Sequence, residues 1–384
     1  MGPNIILDKS AFQCLSESDT HELSRYFSVV VPPVLILEIL ADLKKDGAVV
    51  AEARVAVQRL AWKLQQLVDV VNVDFRELCI RDLLGGSIPV DRGAVVAGGR
   101  RVTAANGSVG AFLDTQPENA ALFRWSCGMF DEAEELLGAQ WRKASEALDL
   151  DGFKRHLRDQ VDWVPLHSMT KVANVVDELM RSEKAQLTLI RGLLSELRTI
   201  PEVEEWTLHR WRNGGFHIFE DFARYAQHCS RVNALFQLAL VHHVVGTRST
   251  NRIDLEYMYY APFAHVFCSG DKFHRTIAEA VLCADQSFVW HDDLRTALRE
   301  VADARREAQA SGSGNGFQLA PQENSLIRTL WMKHLGHWMN WPVGGETTIP
   351  EKKQQEMLAR VQAIVDAAHR ARGDLPPRPK WPCP

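Results

Sequence analysis

The stretch Asn251–His274, NRIDLEYMYYAPFAHVFCSGDKFH, decides the fold. Its centre, HVFCSG, reads as a short buried strand that stops at Ser269-Gly270-Asp271. Ahead of it lies a helical segment with Asp254 near its start, and behind it DKFHRTIAEAVL is helical in character. A lone strand between two helices is one unit of a parallel sheet, so its neighbours must come from elsewhere in the chain.

They stand at the beginning. NIILD (Asn4–Asp8) is a second buried strand, SVVVPP (Ser28–Pro33) a third that two prolines stop, and VDVVNVD (Val68–Asp74) a candidate fourth. Helical segments alternate with them: SAFQCLSESDTHELSRYF, VLILEILADLKKDG closed by Gly47, AVVAEARVAVQRLAWKLQQL and FRELCIRDLLGG. Between Gly85 and Gly110 the chain is rich in Gly, Ala and Val and reads as a long loop or hairpin. From about Ala120 to His228 it is helical in composition, and SFVWHDD (Ser287–Asp293) supplies a last strand. The expected class is α/β: a parallel sheet flanked by helices, with a large inserted all-α module and a helical C-terminal tail. The expected boundaries are residues 1–86 for the first half of the sheet domain and 87–231 for the helical insertion. The second half follows at 232–310, and a linker with tail at 311–384, opened by SGSGNG.

Composition excludes little. A chain of 384 residues with 46% hydrophobic and 24% charged content can bury one large core or two moderate ones. A net charge of −5 gives no global field for nucleic acid, although a local basic groove would still act. No apolar run approaches the roughly 20 residues that span a bilayer, so no membrane partner is expected. The opening MGPNIILDKS lacks a basic region and a cleavage site, and the seven cysteines are scattered. Both point to a reducing cytoplasm, with Cys268 and Cys283 as small core residues.

Four acidic residues share one context. Asp8 ends the first strand, Glu38 lies inside VLILEIL after the second, Asp254 opens a helix, and Asp271 follows HVFCSG. In an open parallel sheet, functional groups collect at the carboxyl ends of the strands. Carboxylates gathered there repel one another unless a hard cation such as Mg²⁺ or Mn²⁺ joins them. Such an ion activates water and stabilises charge on a phosphodiester. Each residue also has an ordinary reading. Asp8, Asp254 and Asp271 could be helix caps, and Glu38 could stand on an exposed edge.

Together NIILDKSAF, VVVPPVLILEIL and HVFCSGDKF resemble the three acidic signatures of PIN-like nucleases, over roughly residues 1–86 and 232–300. That resemblance implies a parallel sheet with helices on both faces. It also implies metal-holding catalytic carboxylates at Asp8, Glu38, Asp254 and Asp271, with Ser10 and Ser269 orienting them. Glu256 is the nearest rival of Asp254, because about 145 residues intervene where the family is compact. The implied activity is hydrolysis of nucleic acid, RNA before DNA, with Mg²⁺ or Mn²⁺. Two other functions fit the same residues. One is a catalytically silent PIN-like scaffold in a larger stress or phage-defence assembly, meeting protein partners through the helical insertion or the Trp-rich tail. The other is a structure-selective DNA nuclease.

Further residues are weaker candidates. Lys272 is placed to meet a phosphate, and Arg100 and Arg101 on their Gly-rich segment could hold a nucleic-acid backbone. His274, three residues after Asp271, reads as an exposed helix histidine, with a phosphate contact as the alternative. The histidines show no zinc spacing, and no nucleophile motif is present. The tryptophans of RTLWMKHLGHWMNW read as a packing face, with base stacking as the alternative.

Overall fold

A computed structural model describes residues 2–44, 49–67, 71–92, 100–103, 109–112, 117–158, 165–311 and 321–336, with 355, 356, 358, 359 and 362 in the tail. Its strands are β1 (Asn4–Leu7), β2 (Ser28–Val29), β3 (Arg100–Thr103), β4 (Val109–Phe112), β5 (Val266–Ser269) and β6 (Ser287–Trp290). Four of them form one sheet in the order β2-β1-β5-β6. Every neighbour in it is parallel, as in the pairs Ile5↔Val29, Ile6↔Phe267 and Cys268↔Val289. The sheet is therefore built from both ends of the chain. β1 and β5 are central and covered on both faces, which is why all their residues are buried and their sequences do not alternate. Beyond β2, Val31 bridges to Val71 in parallel and accepts the Asn72 N–H at 2.9 Å. That is the place of the expected strand VDVVNVD, of which only this bridge is described.

Prolines set the turn after β2: Pro33 opens the helix Pro33–Ala41, where its missing N–H leaves no bond unmade. The segment after β1 divides into helices Lys9–Cys14 and Glu17–Tyr26, because a capping box of Ser16 and Asp19 starts a new helix. Helix His291–Ala310 packs on Glu17–Tyr26. There Arg305 holds Glu22 in a buried ion pair, Nη2 to Oε2 at 3.0 Å, and joins the two ends of the chain.

The helical insertion from Pro117 onward is continuous with this body. Helix Arg224–Val241 runs unbroken through the boundary expected between 231 and 232, and packs on Phe75–Leu83. Asp82 of that earlier helix accepts the Tyr225 and Ala226 N–H groups at 2.8 and 3.0 Å, satisfying a helix start that has no side-chain cap of its own. Met1–Val96 and Pro117–Trp338 accordingly form one compact unit. Ala97–Gln116 and Met339–Pro384 form a second. In the second unit β3 and β4 pair antiparallel, Arg100 opposite Phe112, so the Gly-rich stretch holds a hairpin.

Trp331 is buried on helix Leu326–Leu335, and its indole donates to Tyr26 O at 2.9 Å, a packing role. Trp338, Trp341 and the segment after Ser311 in SGSGNG lie outside the described residues. Cys268 is buried as expected, but Cys283 is exposed, because it follows the end of its helix rather than facing the core. No helix among the described residues is long and apolar enough to cross a membrane.

Candidate functional site

Asp8 follows β1 directly and is 3% exposed. It caps helix Lys9–Cys14 through the Ala11 N–H at 2.8 Å, so the capping reading is correct but incomplete. Its carboxylate also accepts from Ser10 Oγ at 2.9 Å, from Ser269 Oγ at 2.6 Å and from His274 Nδ1 at 3.1 Å. Ser10 and Ser269 thus orient Asp8, and they tie the two strand ends together. Gly270 N donates to Ser10 Oγ at 3.1 Å, and Asp271 N donates to Ser269 Oγ at 2.9 Å.

His274 departs from expectation. It is fully buried. On helix Lys272–Val281 it shares the inward stripe with Ile277, Ala278 and Val281, a spacing that turns it toward β1 and β5 rather than toward solvent. Its Nε2 donates to Asp254 O at 2.8 Å, while Nδ1 faces the Asp8 carboxylate. Nε2 faces a carbonyl and so carries hydrogen. Nδ1 lies against Asp8 and, at 2.9 Å, against a Ser269 hydroxyl whose own hydrogen goes to Asp8, so Nδ1 carries hydrogen too and the ring is an imidazolium. Burial pushes His274 down, but the Asp8 hydrogen bond and charge lift it to about 9. Burial likewise pushes the Asp8 carboxyl up, yet His274, Ser269 and Ala11 together hold it below its ordinary value. A buried ion pair sits where four carboxylates were expected to meet a metal.

Glu38 lies on helix Pro33–Ala41 and accepts a short hydrogen bond from the Tyr257 hydroxyl. Burial first, then the charges of Asp254 and Asp8, raise it to about 7, although Lys9 and Tyr257 pull the other way. Lys9 itself donates to Glu38 O at 3.0 Å and pairs with Asp42 at 2.7 Å. Asp254 lies within helix Asn251–Met258 and does not cap it. Burial first, and the charges of Asp271 and Asp8, raise Asp254 to about 6. Its Oδ2 is buried without a hydrogen-bond partner. Asp271 caps helix Lys272–Val281 through Phe273 N at 2.7 Å and faces Arg248 Nη1 at 3.8 Å.

Asp254 therefore feels Asp8 and Asp271, and Glu38 feels Asp254 and Asp8. Their oxygens do not close round one point, since no three His, Cys, Asp or Glu among the described residues are grouped to hold a metal ion. Glu256, the rival of Asp254, faces elsewhere. It pairs with Arg76 at 3.2 Å and with Arg252 at 3.8 Å on the wall of a separate cavity of about 970 Å³. Lys272 is exposed at the mouth of the Ser269–Asp271 turn. Arg100 and Arg101 belong to the hairpin of the second unit, and their side chains lie outside the described residues.

Tyr257 and Arg248 are residues of this site that sequence reasoning passed over. Tyr257 stands three residues after Asp254, on the same helix face, which is the signal that could have found it. For Arg248, in the turn before that helix, no local pattern gives a signal. The chain matches no known family model, no curated protein and no solved structure.

Proposed function

We propose that the protein is a metal-dependent phosphodiesterase of PIN-like kind, a nuclease acting at the carboxyl edge of its parallel sheet. The observation that carries this reading is Asp254. Its Oδ2 is buried without a donor, and Asp254 feels the charges of Asp8 and Asp271 while Glu38 feels those of Asp254 and Asp8. A buried carboxylate oxygen with no partner is unfavourable, and a hard cation satisfies it. Asp254 offers an oxygen without a donor, but Glu38 and Asp271 are not grouped with it to hold an ion as they stand and would join Mg²⁺ or Mn²⁺ only by moving. Asp8 is saturated by four protein donors and would join only by releasing one of them.

When bound, such an ion supplies Lewis-acid stabilisation to the phosphodiester and activates water. Glu38, raised to about 7 without an ion, would be held ionised by a bound cation and so serve it as a ligand. Arg248 and Lys272, both exposed next to Asp271, would receive the substrate's phosphates. The resemblance to PIN-like nucleases favours RNA over DNA.

The test is cleavage of end-labelled single-stranded RNA, single-stranded DNA and duplexes, with Mn²⁺ or with chelator, by the parent and by Asp254→Asn. The expected result is Mn²⁺-dependent cleavage of RNA by the parent alone. Cleavage confined to structured DNA would move the reading to a DNA nuclease. No cleavage of any substrate, with no effect of Mn²⁺ on melting, would end the enzyme reading.

A second reading is a silent PIN-like scaffold, and one observation favours it: His274 already supplies Asp8 with a cation. In that case partners would meet the helical segment, where Trp206 is 70% exposed on helix Pro201–Asn213.

A further inference from the structure

At the other edge of the same sheet a cavity of about 640 Å³ opens, bounded by Pro262 ahead of β5 and Gln286 ahead of β6. Four guanidinium groups line it, those of Arg92, Arg181, Arg224 and Arg231, against two carboxylates, Asp177 and Glu220. Partners do not use up this charge. Arg231 binds Asp177 through Nε at 2.8 Å and Ala280 O through Nη1 at 2.9 Å. Arg224 reaches Glu220 only at 3.6 Å and is 67% exposed. Arg181, exposed at the end of helix Met169–Arg181, pairs with no carboxylate among the described residues. Arg92 meets Asp285 at the rim at 2.8 Å through Nη2, while its Nε is buried with no hydrogen-bond partner.

The backbone at Arg92 is an outlier. Its φ is 60°, in the left-handed region that side chains rarely adopt. Two bonds pin it there: its N–H donates to Pro262 O at 3.0 Å, and its carbonyl accepts from Asn4 Nδ2 at 2.7 Å. Residues held in such conformations from both sides cluster at ligand sites. His228 lines the same cavity and lies in the field of the same arginines. Burial, and then the charges of Arg231 and Arg92, push it down to about 4, so it is neutral and donates to Met258 O at 3.0 Å. The remaining wall is apolar, with Val90, Met180, Ile218 and Leu282.

We propose that this cavity binds a small phosphorylated organic anion of nucleotide size. Guanidinium groups with unused donors meet phosphate oxygens, the apolar wall covers the organic body, and the volume lies in the range of small-molecule pockets. This proposal stands whether or not the acidic edge is catalytic.

The experiment is calorimetric titration of the full chain with ADP, inorganic pyrophosphate and adenosine, in chelator so that no divalent ion takes part. We expect saturable binding of ADP, weaker binding of pyrophosphate and none of adenosine. The double variant Arg181→Glu with Arg224→Glu alters exposed side chains only and should bind ADP at least roughly tenfold more weakly. If that variant melts lower than the parent, Arg224→Glu alone serves, with the same direction expected. Adenosine binding as well as ADP, or ADP binding unchanged in the variants, would overturn the proposal.

Discussion

At the carboxyl edge of the sheet the charges are sealed in: Asp8 is 3% exposed and His274 is fully buried. At the amino edge they stand partly in the open, with Arg224 67% and Asp285 62% exposed although Arg92 and Arg231 are each only 20% exposed. One strand, β1, joins the two edges, and its four residues separate them by only about 10 Å. The sealed edge balances its excess of carboxylates from within, by an imidazolium and two hydroxyls. The open edge leaves the guanidinium groups of Arg181 and Arg224 to solvent. A sealed charge must be paired for the chain to fold, whereas an open charge is available to a ligand. Removing charge at the first edge should therefore show in stability, and at the second in binding.

The strongest attack on this contrast is His274→Ala. It leaves Asp8 buried with its cation gone, and breaking one side of a buried pair costs roughly 3–5 kcal/mol. Urea denaturation at pH 7 measures it; a loss below about 1 kcal/mol would mean that the imidazolium is not the balancing charge. The pH dependence has a definite sign. His274 is raised in the folded state from 6.5 to about 9, so its contribution is complete below 6.5 and disappears as pH rises through 9. The gap between parent and variant should narrow over that window.

Next in size is the response to Mn²⁺, which separates the enzyme reading from the scaffold. An ion drawn to Asp254 at this edge should stabilise the parent by about 2.7 kcal/mol at a hundredfold excess over its dissociation constant. Asp271→Asn keeps the cap on Phe273 N but should gain less. Its ion-free form should melt slightly above the parent, because it relieves repulsion on Asp254. Thermal melts with chelator and with Mn²⁺ decide it, and equal curves for both proteins in both conditions would remove the metal from this edge.

Glu38 and Asp254 supply a smaller, opposite test. Both are raised in the folded state, to about 7 and about 6, so the native protein holds protons that the unfolded chain releases. Stability without metal should then fall as pH rises from about 4.5 to 7. Glu38→Gln should stabilise the protein at pH 8 by roughly 1–3 kcal/mol, with the gain gone near pH 4. Chemical denaturation across that range checks it. An unchanged or lower stability at pH 8 would show that Glu38 is better accommodated as an anion than its surroundings imply.

Much of this edge was legible in the sequence, because parallel strands buried on both faces read as unbroken apolar runs with a polar stop. NIILD and HVFCSGD gave β1, β5 and the positions of Asp8, Ser269 and Asp271 in this way. Glu38 stood out because five aliphatic residues enclose it. His274 was misread for a reason the helix pattern contains: it occupies the stripe of Ile277, Ala278 and Val281, and the polar identity of the residue outweighed its phase. The amino edge was not legible at all. Arg92, Arg181, Arg224 and Arg231 come from four separate segments, and each alone is an ordinary solvated arginine. Only the packing of helices Met169–Arg181, Arg224–Val241 and Lys272–Val281 brings their surroundings together. The boundary at 231 failed similarly, since nothing local reveals that Asp82 caps a helix starting at Arg224.

The smallest expected effect is the one that sharpens the contrast most. Arg92→Gly removes a guanidinium from the amino edge and also frees a backbone at φ 60°, which glycine adopts without steric penalty. Relief of the left-handed conformation is worth roughly 1 kcal/mol. It is offset by the pair with the largely exposed Asp285, worth about 0–1 kcal/mol, and by the greater freedom of glycine in the unfolded chain. The bonds of residue 92 to Pro262 O and Asn4 Nδ2 use backbone atoms, and they persist in the variant. Stability should therefore stay within about 1 kcal/mol of the parent, while ADP binding weakens roughly tenfold through the lost donors. Denaturation and titration of the same preparation read both quantities. A stability loss above about 2 kcal/mol would make Arg92 as structural as His274, and the two edges would no longer differ in kind.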